Sequence, residues 1–176
     1  MSDQIQKTAE YQLIQRIYGD KMASRSQVPL MNHIDEGLQI LDWEKASFLA
    51  KKAYCLHPVF QGDDNLQENY TNSSLESLDR QALVLVMEYR NIANQYLSTR
   101  VISNSNEIRL SPLAEVNQML VADKIQNRKD FEQYHQQTHG RSAELIVYFQ
   151  NWLQQLNITE EKYREYCERL HDRSFR

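Results

Sequence analysis

The sequence predicts an all-α fold of six or seven helices around one core, and three observations predict it. Only four glycines and three prolines punctuate 176 residues, so sharp turns are few. Apolar residues recur three and four positions apart along most of the chain, which is the period of one helix face. No stretch reads as a convincing strand, and the chain holds neither an internal repeat nor a low-complexity run.

Composition narrows the class further. A hydrophobic content of 41% with 25% charged residues describes a soluble globular chain, and the length suits a single domain over residues 1–176. A net charge of −4 offers no general attraction to nucleic acid or to acidic membranes. Cys55 and Cys167 lie inside helical patterns without metal-ligand spacing, and are expected as free thiols in a reducing compartment. Residues 1–30 contain no continuous apolar run, and no segment approaches the ~18 apolar residues that a bilayer span needs. The expected compartment is therefore the cytoplasm. Nothing in the composition argues against an oligomer.

The elements follow in order. Residues 4–18 place Ile5, Ala9, Leu13, Ile14 and Ile17 on one face, and Gly19 with Asp20 forms a stop. The polar stretch 23–33, with Pro29 in it, is a loop leading into a helix over 31–41. That helix carries Leu38, Ile40 and Leu41, with His33 near its start. Asp35 and Glu36 stand in its first turn, where the helix dipole favours acids. A third helix over 43–57 turns Phe48, Leu49, Ala53 and Leu56 inward, and Pro58 is expected to end it. Residues 61–74 form a polar loop. The longest helix is expected from about Leu75 to Thr99, surrounded on all sides at its apolar block 82–87, with Ile92, Ala93 and Leu97 inward beyond it. Asn104 to Asn106 make a turn, and Ser111, Pro112 and Glu115 mark the next helix start. A helix over about 142–156 buries Leu145, Ile146, Phe149 and Trp152. Thr159, Glu160 and Glu161 start the last one, which runs to about Leu170.

The stretch 119–135 organises the rest. Leu120, Val121, Ile125 and Phe131 fall broadly on one side of a helix, and Asp123, Asn127 and Asp130 on another at i, i+4 and i+7. An aspartate within so apolar a segment requires a partner. A cation such as Arg128 would serve structurally. Histidines would instead make Asp123 a metal ligand, and two are well placed. His33 stands at a helix start and His57 at a helix end, so three helix-borne groups could converge on one cavity. Two imidazoles and a carboxylate suit Mn²⁺, Fe²⁺ or Zn²⁺, which polarise phosphoryl oxygens and activate water. The plain alternative has both histidines bonding backbone groups at helix ends. His135 and His139 are four apart, but Gly140 follows and they are not read as a metal site; His171 reads as a solvated tail residue.

Three blocks, 25-RSQVPLMNHIDEGLQIL-41, 50-AKKAYCLHPVFQGDDNL-66 and 119-MLVADKIQNRKDF-131, resemble the hydrolase domain of RelA/SpoT-type alarmone enzymes in the HD superfamily. The similarity is to the small stand-alone kind, the metazoan SpoT-homolog type. That family typically reads R-(x)-PYI-x-H-P-(x)-VA-x-IL, then AA-x-LHD-(x)-ED, then K-LADK-x-x-N-x-x-D. The segment RSAELIVYFQNWLQQL also matches the family's closing helices in pattern, so the likeness covers most of the chain. ADKIQNRKD is its specific part.

The resemblance implies an HD-domain-like bundle in which His33, His57 and Asp123 occupy three of four metal-ligand positions, with Mn²⁺ as the ion. It implies a phosphorylated nucleotide as ligand, with Arg25 against it and Asn127 near its sugar and phosphate. Two departures stand out. The HD doublet is His57-Pro58 here, and the acidic pair that activates water aligns with Gln61-Gly62. The expectation is a nucleotide-binding relative of (p)ppGpp hydrolases with altered or lost hydrolase activity, in which Lys52, Arg90, Lys124 and Arg128 join Arg25 in contacting phosphate. The alternative is an active metal-dependent nucleotide pyrophosphohydrolase with a rearranged site, where Asp63, Asp64 or Glu88 supplies the missing carboxylates. Tyr54, Tyr89 and Tyr96 are candidates for base stacking.

Overall fold

Thr8 divides what the apolar pattern reads as one N-terminal helix. Its hydroxyl accepts the Tyr11 amide at 3.3 Å, which separates a single turn, α1 (Asp3–Gln6), from α2 (Ala9–Tyr18). The computed structural model describes residues 3–24, 26–64, 66–67, 75–100 and 104–173. After α2 come α3 (Met31–Trp43), α4 (Phe48–Gln61), α5 (Arg80–Gln95), α6 (Ala114–Asp130), α7 (Ser142–Gln155) and α8 (Glu160–Arg173). The fold is all-α: among the described residues the one trace of strand geometry is an isolated bridge between Met22 and Pro29.

Local chemistry sets the helix bounds, and several differ from the sequence pattern. Ser47 caps α4 by accepting the Ala50 amide at 3.1 Å, so the helix opens at Phe48 rather than at residue 43. Phe48, in that exposed first turn, points outward. Pro58 does not end α4, which continues to Gln61. Proline removes a single amide donor, and the carbonyl it orphans finds another partner, as described below. Asp79 caps α5 through the Gln81 amide at 2.9 Å, so this helix is shorter than the expected span from Leu75 to Thr99. The Ser111 hydroxyl accepts the Leu113 amide and donates to Glu88, closing a turn just before α6 instead of capping the helix itself.

The surrounded helix is α6, not α5. In α5 the inward stripe is Ala82, Leu85, Val86, Tyr89, Ile92 and Ala93. Val84 and Met87 fall on the opposite side, 63% and 42% exposed, and Leu97 beyond the helix is exposed too. In α6, by contrast, every residue from Met119 to Ile125, and Gln126 after it, is buried. α6 packs against α3, α4, α5, α7 and α8, while α4 packs against α2, α3, α5 and α6. The helices α3, α4 and α6 therefore touch one another, and they carry His33, His57 and Asp123 respectively. Gly37 lets α3 and α4 close together, because a methyl at that position would overlap the Tyr54 phenol. Beyond α6 the helix widens into a π turn over Phe131–His135.

Both cysteines are free, Cys55 within the core. No helix among the described residues is long and apolar enough to cross a membrane.

Candidate metal centre

Three packed helices each present one candidate ligand to a common point. His33 lies in the first turn of α3, His57 near the end of α4, and Asp123 midway along α6. His33 Nε2 stands 2.9 Å from His57 Nε2, and the two are 3.6 and 3.5 Å from Asp123 Oδ1. Ligand atoms that share one ion at about 2.0–2.1 Å stand roughly 3–3.5 Å apart, so the triangle has the right size. His33, His57 and Asp123 could hold a metal ion.

The orientation of the rings supports this more strongly than their proximity. His33 Nδ1 is 2.5 Å from the side-chain carbonyl of Gln126. The Gln126 amide group donates to Asp130 at 2.8 Å and to Glu36 at 3.2 Å, which leaves its oxygen facing the ring. His57 Nδ1 is 2.6 Å from the backbone carbonyl of Tyr54. Carbonyl oxygens only accept, so in both rings Nδ1 carries a proton and Nε2 points at the partner histidine and Asp123. Two imidazole nitrogens this close, beside a carboxylate, converge on a point that suits a cation. Fixing the remote ring nitrogen in this way is the usual support of a metal-bound histidine.

The carboxylate is fixed as firmly. Asp123 Oδ1 accepts from Asn127 Nδ2 at 2.8 Å, and Oδ2 accepts from Lys124 Nζ at 2.8 Å. Burial by itself would raise the Asp123 carboxyl. The Lys124 ammonium, with His57 and His33, holds it well below the usual carboxylate range. Burial, and then His57 beside it, push His33 below its ordinary value, which favours the neutral ring that a metal requires. Lys124 is itself buried, with its ammonium 5.0 Å from the centre of the Trp152 ring.

The centre opens into a pocket of about 290 Å³, walled by Tyr18, Pro29, Leu30, Pro58, Gln61, Asn127 and Asp130. The His33 side chain is 20% exposed towards it, against 2% for His57 and 4% for Asp123.

The other expected site residues are distributed elsewhere. Arg25 lies outside the described residues. Lys52 pairs with Asp79 at 3.0 Å. Arg90 donates to the Phe60 and Gln61 carbonyls and pairs with Asp63, closing the C-terminal end of α4. Arg128 makes a two-pronged pair with Glu160 at 2.8 and 2.9 Å, bonds Glu132, and stacks 4.0 Å over Tyr163. Lys124 is committed to Asp123. Of the expected nucleotide contacts within the described residues, Asn127 alone lines the pocket. Asp63 and Asp64 are exposed, and Glu88 accepts from Ser111 and Asn91. None of these three carboxylates is among the described residues of the pocket wall: Arg90 holds Asp63 just beyond the end of α4, and Glu88 lies midway along α5, bonded to Ser111. Tyr54 and Tyr89 are buried against the His57 ring at 4.4 and 5.1 Å, and Tyr96 packs edge-on to Trp152, so these rings are structural.

Gln126 is the site residue that sequence reasoning overlooked. Its signal was the one that singled out Asp123: a polar side chain inside a segment otherwise apolar enough to be buried all round. Asp130, on the same helix face as Asp123, also lines the pocket. No family model, no curated protein and no solved structure matches this chain.

Proposed function

We propose that the chain is an HD-like relative of (p)ppGpp hydrolases that binds one divalent ion, manganese by the resemblance, and through it a phosphorylated nucleotide that it does not hydrolyse. The convergence of His33, His57 and Asp123, with both Nε2 atoms turned inward, carries this reading. An ion held there supplies positive charge for a phosphate oxygen. That role matters because Lys52, Arg90, Lys124 and Arg128 are each engaged with other groups. Asn127 offers the pocket a neutral polar edge, and the resemblance adds Arg25, which lies outside the described residues, as a cation for the phosphate.

Loss of hydrolysis follows from what stands beside the centre. Pro58 has no donor atom where the family has a fourth ligand, and Gln61 has a neutral amide where the family has an acid. An amide takes no proton from water near neutral pH. One observation favours the active alternative: Asp130 brings a carboxylate to the pocket wall. Its oxygens accept from Gln126 at 2.8 Å and Lys129 at 3.0 Å, and in the active reading it would stand in for the missing base.

The experiment combines metal analysis of protein purified without chelator with a thermal-shift screen of guanosine tetraphosphate, other nucleotides and Mn²⁺. The expected result is one ion per chain, a metal-dependent nucleotide shift abolished by Asp123→Ala, and no release of phosphate or pyrophosphate. Release that disappears with Asp130→Asn would replace this reading with the active one. Neither metal nor nucleotide binding would sink both.

A further inference from the structure

His57 and Pro58 are neighbours, but the link between them runs back along α4 through Tyr54. In an uninterrupted helix the Tyr54 carbonyl accepts the amide of residue 58. Pro58 has no amide hydrogen, and its ring crowds that same carbonyl. Tyr54 and His57 are both buried, so a carbonyl left without a donor there would be costly. His57 Nδ1 supplies the donor at 2.6 Å. Among the described residues the Tyr54 carbonyl is the hydrogen-bond partner of that nitrogen. The Tyr54 and Tyr89 rings, His33 and Asp123 also stand beside the His57 ring.

We propose that Pro58 is a positioning residue for His57: by withholding an amide it reserves the Tyr54 carbonyl for Nδ1, and so fixes the ring tautomer whose Nε2 lone pair faces His33 and Asp123. The purpose of that arrangement rests on the metal-binding reading above, whereas the tautomer is set in the metal-free chain. An ordinary residue at 58 would compete for the same carbonyl. His57 could then carry its proton on Nε2, where it would block the ligand triangle. Where the resemblance implies a fourth ligand, proline thus offers none and secures the ligand geometry of its neighbour.

The test is Pro58→Ala in the full chain. Alanine restores the amide and suits a helix interior, so circular dichroism and melting temperature should be unchanged or improved. Pro58→Ser restores the same amide and serves if the alanine variant loses its helical signal. The first readout is the pair of ¹⁵N shifts of the His57 ring without metal. The parent should show a protonated Nδ1 and a bare Nε2, and the variant a mixture. The second is calorimetric titration with Zn²⁺, where affinity should fall at least about tenfold, the scale for loss of a ligand's supporting hydrogen bond. A His57 tautomer that is the same in parent and variant overturns the proposal. A parent that binds no metal while its tautomer still depends on Pro58 sinks the metal-binding reading and upholds the role of Pro58.

Discussion

The Lys124 ammonium meets the Asp123 carboxylate at 2.8 Å, although the two residues are adjacent in α6 and successive helical side chains do not face each other. Lys124 reaches back over Trp152 to make the contact, inside the core. Removing one member of a buried pair leaves the other unpaired, at a cost of about 3–5 kcal/mol. Lys124→Met should therefore lower unfolding free energy by that order in metal-free protein. Added Zn²⁺ or Mn²⁺ should recover part of the loss, because the ion takes over the stranded Asp123 charge. Asp123→Asn should lose as much with no recovery. Urea denaturation with and without metal checks both.

Acid should weaken the metal-free protein in two stages. His33 is pushed below its ordinary value of 6.5, so the stability held by its neutral ring is complete above that value and declines as pH falls through the lower folded-state value. Asp123 is depressed from 3.8, so its contribution is complete above that value and declines at still lower pH. His33→Gln should flatten the first limb of a stability profile measured between about pH 2 and 8, and leave the second, which Lys124 mainly sets, largely in place. Metal affinity should fall over the same first limb, since protons compete for the ring nitrogens.

Gly37→Ala should be destabilising although alanine favours helices. The gain in helix propensity is about 1 kcal/mol at most. Overlap with the Tyr54 phenol, whose hydroxyl donates to the His33 carbonyl at 3.3 Å, should cost about 1–3 kcal/mol. Because the clash lies between the helices that carry His33 and His57, metal affinity should drop with it. Gly140→Ala, where an added methyl meets nothing within 4 Å, is the control and should leave metal binding unchanged.

Arg128→Ala should cost stability, about 1–3 kcal/mol, and leave ligand binding intact. Arg128 ties α6 to α8 through Glu160 and Tyr163 and is not on the pocket wall. Asn127→Ala should do the reverse at the pocket, weakening metal and nucleotide binding because Asn127 steadies Asp123. Chemical denaturation beside thermal shift separates the two effects.

The sequence by itself determined the all-α class, the approximate place of the major helices, and the suspicion that His33, His57 and Asp123 belong together. Those follow from short-range facts. Helical periodicity is local, caps act within one turn, and a lone aspartate in an apolar segment announces that it needs a partner. Only the tertiary structure decided which partner each long side chain took. Arg128 chose Glu160, Arg90 chose Asp63 and the end of α4, and Gln126 chose His33, Glu36 and Asp130. It also decided that α6 rather than the more apolar-looking α5 is enclosed, and that α4 runs through Pro58. Such outcomes depend on which groups from distant segments arrive within about 3 Å of one another, a distance that spacing along the chain does not encode.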